Sequence, residues 1–189
     1  MDEIDRGIIS ELQEDGRKSL EELARKVGYT SMGVKKRLQR LIQKGAIRIS
    51  ASINPFLYKL FPAIVLLEME SGEAMKNLLE RFKDCPRVIQ IYKTIGGYNL
   101  IALVVAENLD TLESISIEKC SLRSGAGIRR SEFYPIGDIH FSPYLHIREY
   151  LTHKNMKIAP CNVDCKPCKR FEDGKCVGCP ATIHYRGTL

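Results

Sequence analysis

Five of the seven cysteines fall between Cys161 and Cys179, spaced C-x3-C-x2-C-x7-C-x2-C. Thiols at that density make poor core material and good soft ligands. The steps Cys165/Cys168 and Cys176/Cys179 each let a tight turn aim two sulfurs at one point. Two such turns build a tetrahedral S4 site for Zn²⁺. Lys166-Pro167 and Val177-Gly178, inside the steps, suit those turns. Cys161 is a fifth thiol beyond that set. Cys161-x3-Cys165-x2-Cys168, with the Cys179-Pro180 ending, also suits a [4Fe–4S] cluster. The spacing therefore predicts a metal centre on Cys161, Cys165, Cys168, Cys176 and Cys179, either zinc or iron–sulfur. Cys85 and Cys120 lie in or at the end of helical patterns and read as ordinary buried thiols.

The chain that must position this cluster has 189 residues, enough for two small domains and an appendage. A hydrophobic content of 44% with 28% charged residues excludes a disordered chain. The N-terminus opens acidic with no apolar segment behind it, and the longest apolar runs, 61–67 and 100–106, are strand-sized. A cytoplasmic protein without a membrane span is expected. In that reducing compartment clustered thiols bind metal rather than pair as disulfides.

Net charge is +6, but its distribution is uneven. Residues 1–22 carry eight acids against three bases, whereas 23–67 carry nine bases and no acid. A one-signed stretch of that length on a folded segment suits a polyanion such as double-stranded DNA.

Periodicity divides the chain further. Asp2 caps a first helix with Ile4, Ile8, Ile9 and Leu12 on one face. Ser19 and Glu22 form a capping box ahead of Leu20, Leu23, Ala24 and Val27. After Gly28 and a short turn, a third helix points Val34, Leu38, Leu41 and Ile42 inward and stops at Gly45. The second and third helices form a helix-turn-helix, the latter basic outside. The start of a recognition helix meets base edges, so Thr30, Ser31 and Met32, followed by Lys35, Lys36, Arg37 and Arg40, are the predicted DNA contacts. Residues 48–53 alternate like a strand leading into a linker. Strands at 63–70, 88–95, 98–106 and 128–136, with helices at 73–84 and 108–119, then give the order βαββαβ, a ferredoxin-like sandwich. The fold class is α+β. Its parts are a helix-turn-helix over 1–53, the sandwich over 60–137, a connecting segment over 138–160 and the cysteine-rich tail over 161–189.

With these residues in view, the chain resembles the Lrp/AsnC transcriptional regulators. The resemblance is carried by Met1-Asp2-Glu3-Ile4-Asp5-Arg6, Leu12 to Arg17 (LQEDGR), Leu20-Glu21-Glu22-Leu23-Ala24, Val27-Gly28, Val34 to Leu41 (VKKRLQRL) and Gly45-Ala46-Ile47. It implies a DNA-binding domain and a ligand-sensing domain that pairs into dimers and higher oligomers. It also implies an amino-acid-like effector near a G-x-Y-D element, which here reads Gly96-Gly97-Tyr98-Asn99. Asn99 replaces the expected acid and removes a charge that would pair an ammonium group. The same stretch also reads as a plain hairpin turn. The residues after Ile136 exceed the resemblance.

The reading is therefore a non-enzymatic regulator with no catalytic residues. Two alternatives stand beside it. Siroheme decarboxylases share the architecture but need His, Arg or Tyr groups converging on a cleft, and no His precedes His140. The other is a metal-binding protein-interaction module. Radical SAM enzymes share the three-cysteine spacing but need a barrel that this chain lacks.

Overall fold

The computed structural model describes residues 1–189 and divides into two compact units, Met1–Ala51 and Ser52–Leu189. In the first, α1 (Glu3–Glu14), α2 (Leu20–Val27) and α3 (Ser31–Gln43) begin where the capping residues dictate. The Asp2 carboxylate accepts the Asp5 N–H at 2.9 Å, Ser19 and Glu22 close a full capping box, and Thr30 accepts the Gly33 N–H at 3.1 Å. Each cap satisfies an orphan donor at a helix start. Ile8, Leu23, Ala24 and Val34 form the core, with Leu12, Leu20 and Leu38 packed around them. Ile42, expected inward, is 45% exposed; Leu38 and Leu41 already fill the inner stripe of α3. The strand expected at 48–53 does not form. Its alternation lacks a partner ladder, and Ile53 alone makes an isolated bridge, to Leu145.

The second unit carries β1 (Phe61–Met69), α4 (Gly72–Phe82), β2 (Val88–Lys93), β3 (Leu100–Ala106), α5 (Leu109–Ile117) and β4 (Ile128–Pro135). The strands form one antiparallel sheet in the order β2-β3-β1-β4, the ferredoxin-like arrangement expected. Strand alternation sorts the side chains into two faces. Ala63, Val65, Leu67, Ala102 and Val104 point to the face that packs Leu78 and Phe82 of α4 and Leu112 of α5. The opposite face carries Ile64, Leu66, Ile101 and Leu103, which stay half-exposed, with Tyr92 and Tyr134 exposed.

Beyond β4 the chain has little regular structure, yet it is tightly placed. Leu145 and Ile147 pack with Leu60, Ile89, Val105 and Leu189. The chain then reaches the other face, where Ala159 and Cys161 join the main core beneath the helices. A single helical turn, α6 (Lys169–Glu172), buries Phe171. Arg186 stacks over that ring at 4.1 Å. No helix in the structure is long and apolar enough to cross a membrane.

Candidate functional site

Three groups of residues were expected to carry function, and the structure treats them differently. On α3, burial of Val34 and Leu41 turns Met32, Lys35, Lys36, Gln39 and Gln43 outward, all exposed. Gly33 lets the Tyr29 ring lie against the helix start: a Cβ there would meet ring atoms at 2.3 and 2.5 Å. Arg37 departs from the expectation. Its guanidinium donates to Asp2 at 2.6 Å and to the buried Asp5 at 2.9 Å, and lies 5.3 Å from the Tyr29 ring. Arg40 also donates to Asp5, at 3.0 Å, but keeps its side chain half-exposed. Arg37 thus ties α3 to α1 instead of projecting as a free cation. The Asp2 carboxyl is held below its ordinary range, first by the Asp5 N–H and then by Arg37. Thr30 is committed to its cap, whereas Ser31 and Met32 remain at the helix start with Met32 62% exposed.

The 96–99 loop is partly spent on the fold. The Asn99 side chain accepts the Met69 N–H at 2.8 Å and donates to the Met69 carbonyl at 2.8 Å. That pair clamps the end of β1 and engages both polar atoms of the Asn99 amide. Tyr98 donates its hydroxyl to Glu132 and carries Arg130 over its ring at 4.4 Å. Its phenol is raised above the ordinary range, chiefly by the bond to Glu132. Hydrogen bonds from Tyr134 and Tyr98 lower Glu132 in turn. Gly96 and Gly97 form the exposed hairpin tip.

The cysteines converge, though not at one point. Cys161, Cys165, Cys176 and Cys179 line an internal cavity of about 50 Å³ between the sheet, the ends of the helices and the tail. Cys85, just after α4, and Cys120, just after α5, line the same cavity. Their reading as ordinary core thiols missed this shared wall. Cys168 lies off it, on an adjoining cleft shared with Cys120, Cys165 and Cys176. No three Cys, His, Asp or Glu side chains converge closely enough to hold one metal ion. Burial pushes the Cys161 thiol up to about 11 and Cys179 up to about 12, with Cys85 adding to both; burial likewise raises Cys120 and Cys165.

A set of polar clamps, unread in the sequence, seats the tail on the sandwich. Arg87 and Glu107 form a buried ion pair, and the same guanidinium donates to the Gly178 carbonyl inside the Cys176/Cys179 step. Gly178 suits that position because its φ is +86° and a Cβ would stand 3.1 Å from the Phe171 ring. Arg81 donates to the Cys161 carbonyl at 3.2 Å, and Arg148 to the carbonyls of Lys83 and Cys85. On α5, Thr111 accepts the Val177 N–H at 3.2 Å. Ser114 donates to the Lys175 carbonyl at 3.0 Å and accepts from Arg170 at 2.6 Å. These contacts bury Thr111 and Ser114 and leave Leu109 62% exposed. The i,i+3 hydroxyl pair Thr111/Ser114 was the available signal for a polar partner on that face.

Comparison with known proteins accounts for most of this architecture. Residues 1–42 match the AsnC-type helix-turn-helix domain, and residues 62–134 match the Lrp/AsnC ligand binding domain. The chain is 33% identical over 128 residues to an HTH-type transcriptional regulator, PH0140 of Pyrococcus horikoshii, covering 66% of this chain and 80% of that one. Among solved structures it is similar to the leucine response regulatory protein LrpA of Mycobacterium tuberculosis, with a TM-score of 0.65 and 28% identity over 78% of this chain and 99% of that one. The fold alone is shared with PH0061, with a TM-score of 0.70 and 19% identity over 75% of this chain and 96% of that one. The chain belongs to the Lrp/AsnC family of transcriptional regulators, not to a class of enzymes. Both family matches end before the connecting segment and the cysteine-rich tail.

Proposed function

We propose that this protein is an oligomeric DNA-binding regulator whose C-terminal tail holds a metal on thiolates. The outward stripe of α3 carries the first part of that reading. Met32, Lys35, Lys36, Gln39 and Gln43 recur at helical spacing on one exposed face, with Ser31 beside Met32 at the helix start. Lysines on such a face neutralise phosphates, and glutamine amides suit adenine edges in the major groove. Arg40 supplies a further partly exposed cation, while Arg37 acts by fixing the helix.

The uncovered face of the sheet supports oligomerisation. Ile64, Leu66, Ile101, Tyr92 and Tyr134 make a contiguous, largely apolar surface of the kind buried between subunits. A small amino-acid-like effector at the hairpin would meet Tyr98 and Arg130 near Gly96 and Gly97, with Asn99 committed elsewhere. Cys161, Cys165, Cys168, Cys176 and Cys179 support a zinc or iron–sulfur module: thiols are the donor type that both take, and Cys161 and Cys176 are buried.

Selection of a random duplex library on the full-length protein, followed by gel shifts at two salt concentrations, tests the DNA reading. Affinity is expected to fall steeply with salt, and Lys36→Ala to reduce the salt slope by about 1. Failure to retain any duplex, or a salt slope untouched by Lys35→Ala and Lys36→Ala, would overturn it.

A further inference from the structure

Resting on the metal-binding reading of the tail, we infer that the metal centre is a polynuclear iron–sulfur site shared between the tail and the ligand-binding domain, with Cys85 and Cys120 among its ligands. The distribution of the thiols carries this. A single zinc ion needs four sulfurs about 2.3 Å from one point, and no three potential ligands here meet that demand. A cluster instead spreads its thiolates over several metal atoms around a central body. Six cysteines line one cavity here: Cys85, Cys120, Cys161, Cys165, Cys176 and Cys179.

The cavity itself is unusual for a core. Well-packed interiors leave few voids larger than a water molecule. This one, at about 50 Å³, exceeds the space of roughly 10–15 Å³ that one water requires. Its remaining wall is apolar, with Val65, Val88 and Val104 from the sheet and Phe82 from α4. Arg87, ion-paired with Glu107, is the one charged side chain on that wall. Arg87, Arg81 and Arg148 also bind the backbone of Gly178, Cys161 and Cys85, and so hold three segments of the wall in place.

The two added ligands change what the centre connects. Cys85 lies in the α4–β2 corner and Cys120 follows α5, so both helices of the ligand-binding domain would be bonded to the cluster. The tail would then be joined to that domain by metal bonds as well as by hydrogen bonds.

The test uses full-length protein, purified anaerobically and reconstituted with ferrous iron and sulfide. Iron, acid-labile sulfide and zinc are measured per chain, together with the visible spectrum and the EPR signal after dithionite reduction. Wild type is expected to take up iron and sulfide with broad visible absorbance. Loss of even an outer partner costs roughly 10–100-fold in metal affinity, so the Cys85→Ala/Cys120→Ala double variant should lose at least about tenfold in bound cluster. Thermal melts of the metal-free forms establish that the double variant folds. If it does not, the two single variants are read on the same scale, and full retention in both overturns the shared site. Wild-type iron and sulfide in the folded double variant overturns the shared site while leaving a tail centre standing. A colourless wild type with stoichiometric zinc and no sulfide overturns the cluster and leaves a metal-bound tail. A chain that takes up neither metal removes both.

Discussion

The helix-turn-helix unit and the C-terminal tail are held in different ways. The first unit is secured locally: Asp2, Ser19 and Thr30 each cap the helix that follows them, and Ile8, Leu23 and Val34 close the core between helices. The tail has a single helical turn and is secured at a distance, by guanidinium groups reaching backbone carbonyls far along the chain. Local caps can be replaced singly at modest cost. A buried guanidinium serving several partners cannot, because its removal strands each of them.

Breaking one member of each kind sharpens this contrast. The largest effect is expected at Arg87→Ala, which leaves Glu107 buried without its cation and the Gly178 carbonyl without its donor; breaking such a pair costs about 3–5 kcal/mol. A calorimetric melt should show the second unit's transition falling, with hydrogen exchange accelerated at 176–179. Leu23→Ala should cost about 2–5 kcal/mol, and exchange should rise only within Met1–Ala51. Spread of that loss into the tail would show that the two units do not unfold separately. Removing the capping box with Ser19→Ala should cost about 1 kcal/mol, read from the same melt. The smallest effect concerns pH. Asp2 is held below its ordinary value of 3.8, so its contribution is present above that value and lost as pH falls through the lower folded value. Asp2→Asn should flatten that acid dependence in the first unit and leave the tail unchanged.

Much of the fold was legible because its determinants are short-range. Capping residues and apolar spacing marked α1 to α3, and alternation marked the four strands of the sheet. Cysteine spacing set the tail apart, but spacing did not report that no three of its thiols meet at one point. The misreadings share a physical origin. Residues 48–53 alternate correctly, but a strand also needs a neighbour with free hydrogen-bonding groups, and the pattern does not report one. The basic run of α3 did not reveal that Arg37 is claimed by Asp2 and Asp5, 35 and 32 residues away. Asn99 looked like a weakened ligand and is a backbone clamp. Cys85 and Cys120 carried no local spacing signal, since their nearness to the tail thiols arises only when the tail folds back under the helices.

The sealed Arg87–Glu107 pair has a consequence for how this protein responds to ionic strength. Its side chains are 6% and 3% exposed, out of reach of the mobile ions that screen surface charge. Lys35 and Lys36 sit in open solvent, where those ions compete directly. Raising salt should therefore weaken the proposed hold of α3 on a polyanion while the clamp on the Cys176/Cys179 step stays shut. One chain would then hold two electrostatic devices, one tuned by its surroundings and one insulated from them.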